Sequence, residues 1–236
     1  MTFRQTTYPS IHFAILAAGE GSRLRQEGVE TPKPLVKIGN IPMLERLIDI
    51  FTQNNAGSIS IVINDIYPEV QSFLDNLKQK SLVPIRVIRK TTPSSLHSFY
   101  ELLPYLNHEK ICLTTVDTIF DADEFAAYIE HFIHLSPEWD GLMGVTSYVD
   151  DERPLYVQTE KDNKITGFFD FAEDKCSYVS GGIYGFSSPR VSDVLAEAKT
   201  TDMKRMRNFQ RKLLDARLSL QAYPFSKIID VDHVDD

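Results

Sequence analysis

The chain has 236 residues, 42% of them hydrophobic, with a net charge of −8 and only two cysteines. This length and apolar content suit one folded domain and exclude wholesale disorder, and the acidic balance excludes a broad nucleic-acid or anionic-membrane surface, because those partners select basic faces. The apolar runs are strand-sized, residues 1–10 are polar, and Cys112 and Cys176 lack CxxC spacing, so the expectation is a cytoplasmic protein with reduced thiols, no signal peptide, no membrane span and no zinc site.

Residues 11–17 read as a short buried strand that runs into a loop rich in Gly, Thr and Pro. Met43, Leu44, Leu47, Ile48 and Phe51 then recur at helical spacing, with Pro42 suited to the first turn and Gly57 to the exit. The alternation continues with a strand at 59–64, a helix at 68–80, a strand at 84–89, a helix from Ser94 or Ser95, and a strand at 111–116. A further helix carries Asp121 and Asp123 in its first turn, where acids favour the dipole, and Phe125, Tyr128, Ile129 and Phe132 as its apolar stripe. Such alternation predicts parallel βαβ units, with ligands at the carboxyl ends of the strands, just after Ala17, Arg89 and Val116.

Beyond Asp140 strands dominate, at 141–147, 155–159, 165–169 and 178–186, with a turn at Asp162-Asn163. Helices from Ser188 and Asp202, a strand at 219–225 and an acidic Asp230-Val231-Asp232 close the chain. The basic run Lys204, Arg205, Arg207, Arg211 and Lys212 alternates with Met203, Met206, Phe209 and Leu213, the pattern of an amphipathic helix first and of a phosphate or RNA site a distant second. His131 and His134 flank an apolar stripe and read as a solvated face. The whole predicts a single α/β domain over 1–236, with a nucleotide-binding half at 11–135 and a mixed or antiparallel, substrate-covering half at 140–236.

The stretch Leu16-Ala17-Ala18-Gly19-Glu20-Gly21-Ser22-Arg23-Leu24 sets two glycines at the mouth of a strand, where backbone N–H groups can approach a phosphate chain, with Arg23 as a fork-shaped cation. Thr31-Pro32-Lys33-Pro34-Leu35 then holds one lysine in a stiffened backbone. A dinucleotide site would want a third glycine where Leu24 stands, and a P-loop would need Gly-Lys-Ser/Thr. A tight turn with a solvated arginine explains the glycines but not the rigid lysine.

With Gly39-Asn40-Ile41-Pro42-Met43-Leu44, these motifs resemble the signature of the nucleoside-diphosphate-sugar pyrophosphorylase or NTP transferase superfamily. The resemblance implies a Rossmann-like, GT-A-like three-layer sandwich with a mostly parallel central sheet. It implies a nucleotide cradled by Leu16, Ala17, Ala18, Gly19, Gly21 and Ser22, with Arg23 on its outer phosphates and Lys33 near the α-phosphate. Thr91-Thr92-Pro93-Ser94-Ser95-Leu96 stands where the family has a glycine-containing base and sugar loop, which would make Thr92 and Ser95 nucleotide contacts. Its Ser-Ser-Leu form resembles the choline-phosphate cytidylyltransferase branch; a plain serine N-cap is the alternative.

Asp117, just after a strand, matches the family's metal aspartate, and Asp230 or Asp232 its second acidic motif, which implies Mg²⁺ bound by these carboxylates. An acidic tail in solvent is the alternative for the last two. Ser180-Gly181-Gly182-Ile183-Tyr184 resembles a substrate-binding segment and points to Gly182 and Tyr184. The family's upstream Glu-Lys-Pro motif is replaced by Phe168-Phe169-Asp170-Phe171. The expected partners are an NTP and a sugar 1-phosphate or other small phosphomonoester, and pyrophosphate the product, with homo-oligomerisation left open. A nucleotide-sugar-dependent glycosyltransferase and a non-catalytic nucleotide sensor are the competing readings.

Overall fold

Strand β1 (Ile11–Ala17) is buried along its whole length, as an unbroken apolar run demands of a central strand covered on both faces. The computed structural model describes residues 10–106, 110–173, 175–187 and 189–236. After β1 come α1 (Ser22–Gln26), a 3₁₀ turn (Lys33–Leu35), the short pair β2 (Lys37–Ile38) and β3 (Ile41–Pro42), α2 (Met43–Gln53), β4 (Ala56–Ile63), α3 (Pro68–Lys80), β5 (Ile85–Arg89) and α4 (Ser95–Leu102). Then follow β6 (Ile111–Thr115), β7 (Thr118–Phe120), α5 (Ala122–Ile133), β8 (Gly141–Thr146), β9 (Tyr156–Thr159), β10 (Ile165–Phe169), β11 (Cys176–Phe186), α6 (Arg190–Thr200), α7 (Met206–Asp215), β12 (Leu220–Phe225) and β13 (Ile228–Asp230).

Strands β5, β4, β1 and β6 lie side by side and parallel. Strand β11 pairs antiparallel with β6 and carries the sheet onward to β8 and β9, with β12 parallel to β8 and β10 antiparallel to β9. The period of two along β1 divides the core: Ile11, Phe13, Ile15 and Ala17 pack with α2 and α5 through Met43, Leu47, Phe51 and Phe125, whereas Ala14 and Leu16 face Phe99 of α4, Leu195 of α6 and Phe209 of α7. One mostly parallel sheet between two helical layers is the predicted sandwich, extended by antiparallel strands.

Local differences have local causes. The expected helix start at Ser188 and the polar residues 1–9 lie outside the described residues. Helix α7 begins at Met206 rather than near Asp202, because Asp202 adopts a left-handed φ of 51° that ends the preceding turn. Strands β2, β3, β7 and β13 were not expected, as two or three residues carry too little periodicity to read. The Asp162-Asn163 turn is present with φ of 60° and 57°. Among the described residues, no helix is long and apolar enough to cross a membrane.

Candidate active site

The loop after β1 is fixed at two carbonyls: Asn64, at the end of β4, donates to Ala18 O at 3.1 Å, and the Tyr67 hydroxyl to Glu20 O at 3.1 Å. Gly21 opens α1 in a left-handed conformation, φ 62°, and a Cβ added there would stand 3.0 Å from Lys33 Cβ. Glycine is required at this position by both backbone and space. The 3₁₀ turn after Pro32 presents Lys33, which is buried at 9% exposure.

Two short strands bring the distant acids to that lysine. Strand β13 pairs antiparallel with β7, so Asp230 lies opposite Thr118, and Val231 N donates to Asp117 O at 3.0 Å. Lys33 Nζ then lies 2.5 Å from Asp117 Oδ2 and 2.6 Å from Asp232 Oδ1, and Arg23 Nη1 lies 2.5 Å from Asp232 Oδ2. Burial pulls the Lys33 ammonium towards neutrality, but the charges of Asp117 and Asp232 outweigh it and hold the pKa above the usual lysine range. The lysine is therefore a fixed positive charge.

Asp230 opens onto the cleft, yet the surrounding protein thins its hydration. That loss of hydration, joined by the nearby Asp117 charge, raises its carboxyl well above the usual range, although Thr118 donates a hydrogen bond of 3.1 Å to Oδ1. The excess of negative charge at Asp117 and Asp230 fits a hard divalent cation. Among the described residues, no three acidic, His or Cys side chains are already gathered as a closed metal cage. Two carboxylates would need ligand oxygens to complete the shell of such a cation, as Mg²⁺ is commonly held by one or two carboxylates and substrate phosphates.

Two cavities meet here. One, of about 240 Å³, is lined by Leu16, Ala18, Gly19, Gly21, Ser22, Arg23, Lys33, Ser95 and Asp117. The other, of about 390 Å³, shares Arg23, Ser95 and Asp232 and extends to Gly182, Tyr184 and Asp230. Gly182 sits in a bulge of β11 with φ 71°, where an added Cβ would meet Thr118 Oγ1 at 2.9 Å. Tyr184 is buried, and loss of solvent, with the Asp230 charge, drives its phenol pKa up.

The site gathers most of the residues read from the sequence, while the Ala17 and Thr92 side chains do not line it. The Ala17 side chain is packed in the core, which leaves its backbone to the loop, and the Thr92 hydroxyl is paired at 2.6 Å with the Oγ of Ser98, itself a lining residue of the smaller cavity. Ser94 is the N-cap of α4, accepting from His97 N, while Ser95 faces the cleft. Asp121 caps α5 through Asp123 N and Glu124 N, as its place in a first turn requires. His131 and His134 are engaged by Gln221 and Glu130 on the surface.

The sequence reading missed Arg153 and Gln210 and ranked a phosphate site second for Lys204, Arg205 and Arg207; all five also line the larger cavity. Three of them lie in the basic run that reads as the outer face of a helix; Lys204 and Arg205 instead precede α7, and with Arg207 they face the site.

The model of the MobA-like NTP transferase domain matches residues 13–162. The chain belongs to this family. Within it, the chain is 25% identical over 226 residues to the bifunctional protein GlmU of Thermodesulfovibrio yellowstonii, covering 90% of this chain and 47% of that protein. It is 31% identical over 111 residues to choline-phosphate cytidylyltransferase of Streptococcus pneumoniae, covering 47% of this chain and 44% of the other. The chain thus spans about half, or less, of the length of these curated relatives.

Among solved structures, the inositol-1-phosphate CTP transferase from T. maritima superposes with a TM-score of 0.77 at 17% identity, over 96% of this chain and 91% of that one. A putative glucose-1-phosphate thymidylyltransferase from Bacillus anthracis gives 0.78 at 21% identity, over 95% and 91%. These likenesses establish that this member of the family has the α/β nucleotidyltransferase fold across nearly its whole length.

Proposed function

We propose that this chain is a magnesium-dependent nucleotidyltransferase that moves a nucleoside monophosphate from an NTP to a small phosphomonoester, releasing pyrophosphate. The observation that carries this reading is Lys33, buried beside the glycine loop with Nζ 2.5 Å from Asp117 and 2.6 Å from Asp232. A rigid buried cation next to paired carboxylates is the arrangement that phosphate transfer needs, because charge must be neutralised without a covalent intermediate.

A lone pair of an acceptor phosphate oxygen forms the new bond to the α-phosphorus. The bond from that phosphorus to the oxygen bridging the β-phosphate breaks, and its electrons leave with pyrophosphate. The attacking oxygen needs no general base, since the second pKa of a phosphomonoester is about 6. The backbone from Leu16 to Ser22 and the hydroxyl of Ser95 line the nucleotide, and Lys33 neutralises the α-phosphate. Arg23, half exposed on Asp232, exchanges that carboxylate for the outer phosphates. Asp117, Asp230 and Asp232 are the candidates to hold Mg²⁺, which when bound supplies charge neutralisation and orientation of the phosphates.

Residues 11–135 supply almost all of the smaller cavity, and residues 140–236 most of the larger one, which supports a nucleotide half and an acceptor half. CTP is the favoured nucleotide: the Ser-Ser-Leu segment points that way, and relatives named as a choline-phosphate cytidylyltransferase and an inositol-1-phosphate CTP transferase support it. NTPs are cytoplasmic metabolites, which supports that compartment.

The test is pyrophosphate release with Mg²⁺, each NTP being run against a panel of phosphomonoesters. Turnover with one pair, reduced at least ~100-fold in Lys33→Ala and Asp117→Ala, is the expected result. Nucleotide binding without pyrophosphate from any pair would favour a sensor or a glycosyltransferase.

A further inference from the structure

The larger cavity has a chemistry of its own. Arg153 and Arg205 line it, and neither guanidinium has an ion-pair or hydrogen-bond partner among the described residues. The other three cations of this wall are at least partly satisfied: Arg23 pairs with Asp232 at 2.5 Å, Arg207 with Asp170 at 2.7 Å and Lys204 with the exposed Asp202 at 3.5 Å. Asp151 is also present, engaged by the backbone N–H of Arg153 at 2.8 Å. Gln210, only 2% exposed, accepts from Ser180 Oγ at 3.0 Å through Oε1, and its amide nitrogen is left without a partner on the cavity wall. That nitrogen is reached from the cavity, and its place beside two unpaired guanidinium groups points to a ligand with acceptor oxygens.

The reacting phosphate does not account for these groups. It must come to the α-phosphorus beside Lys33 and Asp117, where Arg23 lines both cavities; Arg153, Arg205 and Gln210 line only the larger one. The wall is also wrong for a quaternary ammonium head, which is recognised by aromatic ring faces. Among the described residues its single aromatic is the buried Tyr184. Resting on the transferase reading above, we infer that the acceptor carries a second acidic group, a carboxylate or phosphate beyond the one that reacts, recognised by Arg153 and Arg205 with Gln210.

The inference separates the acceptor from phosphocholine and from plain hexose phosphates while leaving the nucleotide unchanged. Glucuronic acid 1-phosphate and glucose 1,6-bisphosphate are the acidic probes; glucose 1-phosphate and phosphocholine are the controls. With the preferred NTP and Mg²⁺, the acidic probes have the higher kcat/KM. Arg153→Gln and Arg205→Gln each raise KM for the acidic probes about tenfold and leave KM for the NTP within about twofold, because a charge-assisted contact at one end of the acceptor is lost. Both side chains are on exposed residues, so neither change should unfold the protein.

Calorimetry with the same compounds separates the two readings. Pyrophosphate release that prefers glucose 1-phosphate or phosphocholine, or variants that lose all acceptors equally, overturns the second acidic group and leaves the transferase intact. Binding of an acidic probe that is lost in Arg205→Gln, without pyrophosphate from any pair, keeps the anion site and overturns the transfer. Neither binding nor release overturns both.

Discussion

Gly21 and Lys33 lie twelve positions apart in the chain and in contact in space, so the glycine does more than turn the backbone. An alanine at Gly21 meets two obstacles, a left-handed φ of 62° and a Cβ contact of 3.0 Å to Lys33. The backbone term alone costs about 1–2 kcal/mol. The contact pushes on the side chain that fixes the positive charge. Gly21→Ala is therefore expected to lower Tm by several degrees and to raise KM for the NTP in the same variant, as read by thermal unfolding and steady-state kinetics. An unchanged KM with a lowered Tm would confine the glycine to folding. Both residues were legible in the sequence because each belongs to a contiguous motif whose chemistry is local. The ion pairs of Asp232 with Arg23 and Lys33 were not, since they depend on how β13 docks on β7. The place of Thr92 was not legible for a related reason: its hydroxyl could face a ligand or its own loop, and the fold pairs it with Ser98 at the cavity wall.

Helix α4 and the segment before α7 meet at Ser94, whose hydroxyl caps α4 at His97 N, contacts His97 Nδ1 and donates to Lys204 O. One side chain thus anchors a helix start and the basic stretch that lines the larger cavity, the proposed acceptor site. Losing a serine cap costs about 1 kcal/mol. Ser94→Ala should reduce stability by that amount in denaturant titrations, and it should also weaken acceptor binding more than NTP binding, because Lys204 and Arg205 lose their tether. Equal loss for both ligands would reduce Ser94 to a plain cap. At this scale the long periodic elements were legible: α2, α3, α5 and the strands of the parallel half fall within a few residues of their expected places. The start of α7 was not, because an aspartate at φ 51° ends a helical turn without the glycine that would mark it in the sequence.

The antiparallel step from β6 to β11 joins two halves that the sequence distinguishes by strand pattern, and the core does not respect that division. On one face Ala14 and Leu16 share a cluster with Met143, Val145 and Phe209; on the other Phe13 and Phe51 share one with Leu142, Ile183 and Phe225. The proposed functional halves are therefore not folding halves. Neither could bury its apolar surface without the other, which predicts a single cooperative unfolding transition. Trp139, the only tryptophan, lies just before β8 and reports the second half by fluorescence, while far-UV circular dichroism reports the whole molecule. Cys112 supplies a third probe at the junction: it is fully buried on β6, and burial raises its thiol pKa, so it reacts with a thiol reagent only when that strand is exposed. Coincident denaturant midpoints for the three signals are expected. A fluorescence midpoint below the others would mean that the acceptor half opens first, and the cluster shared across β6 and β11 would then be too weak to couple the halves.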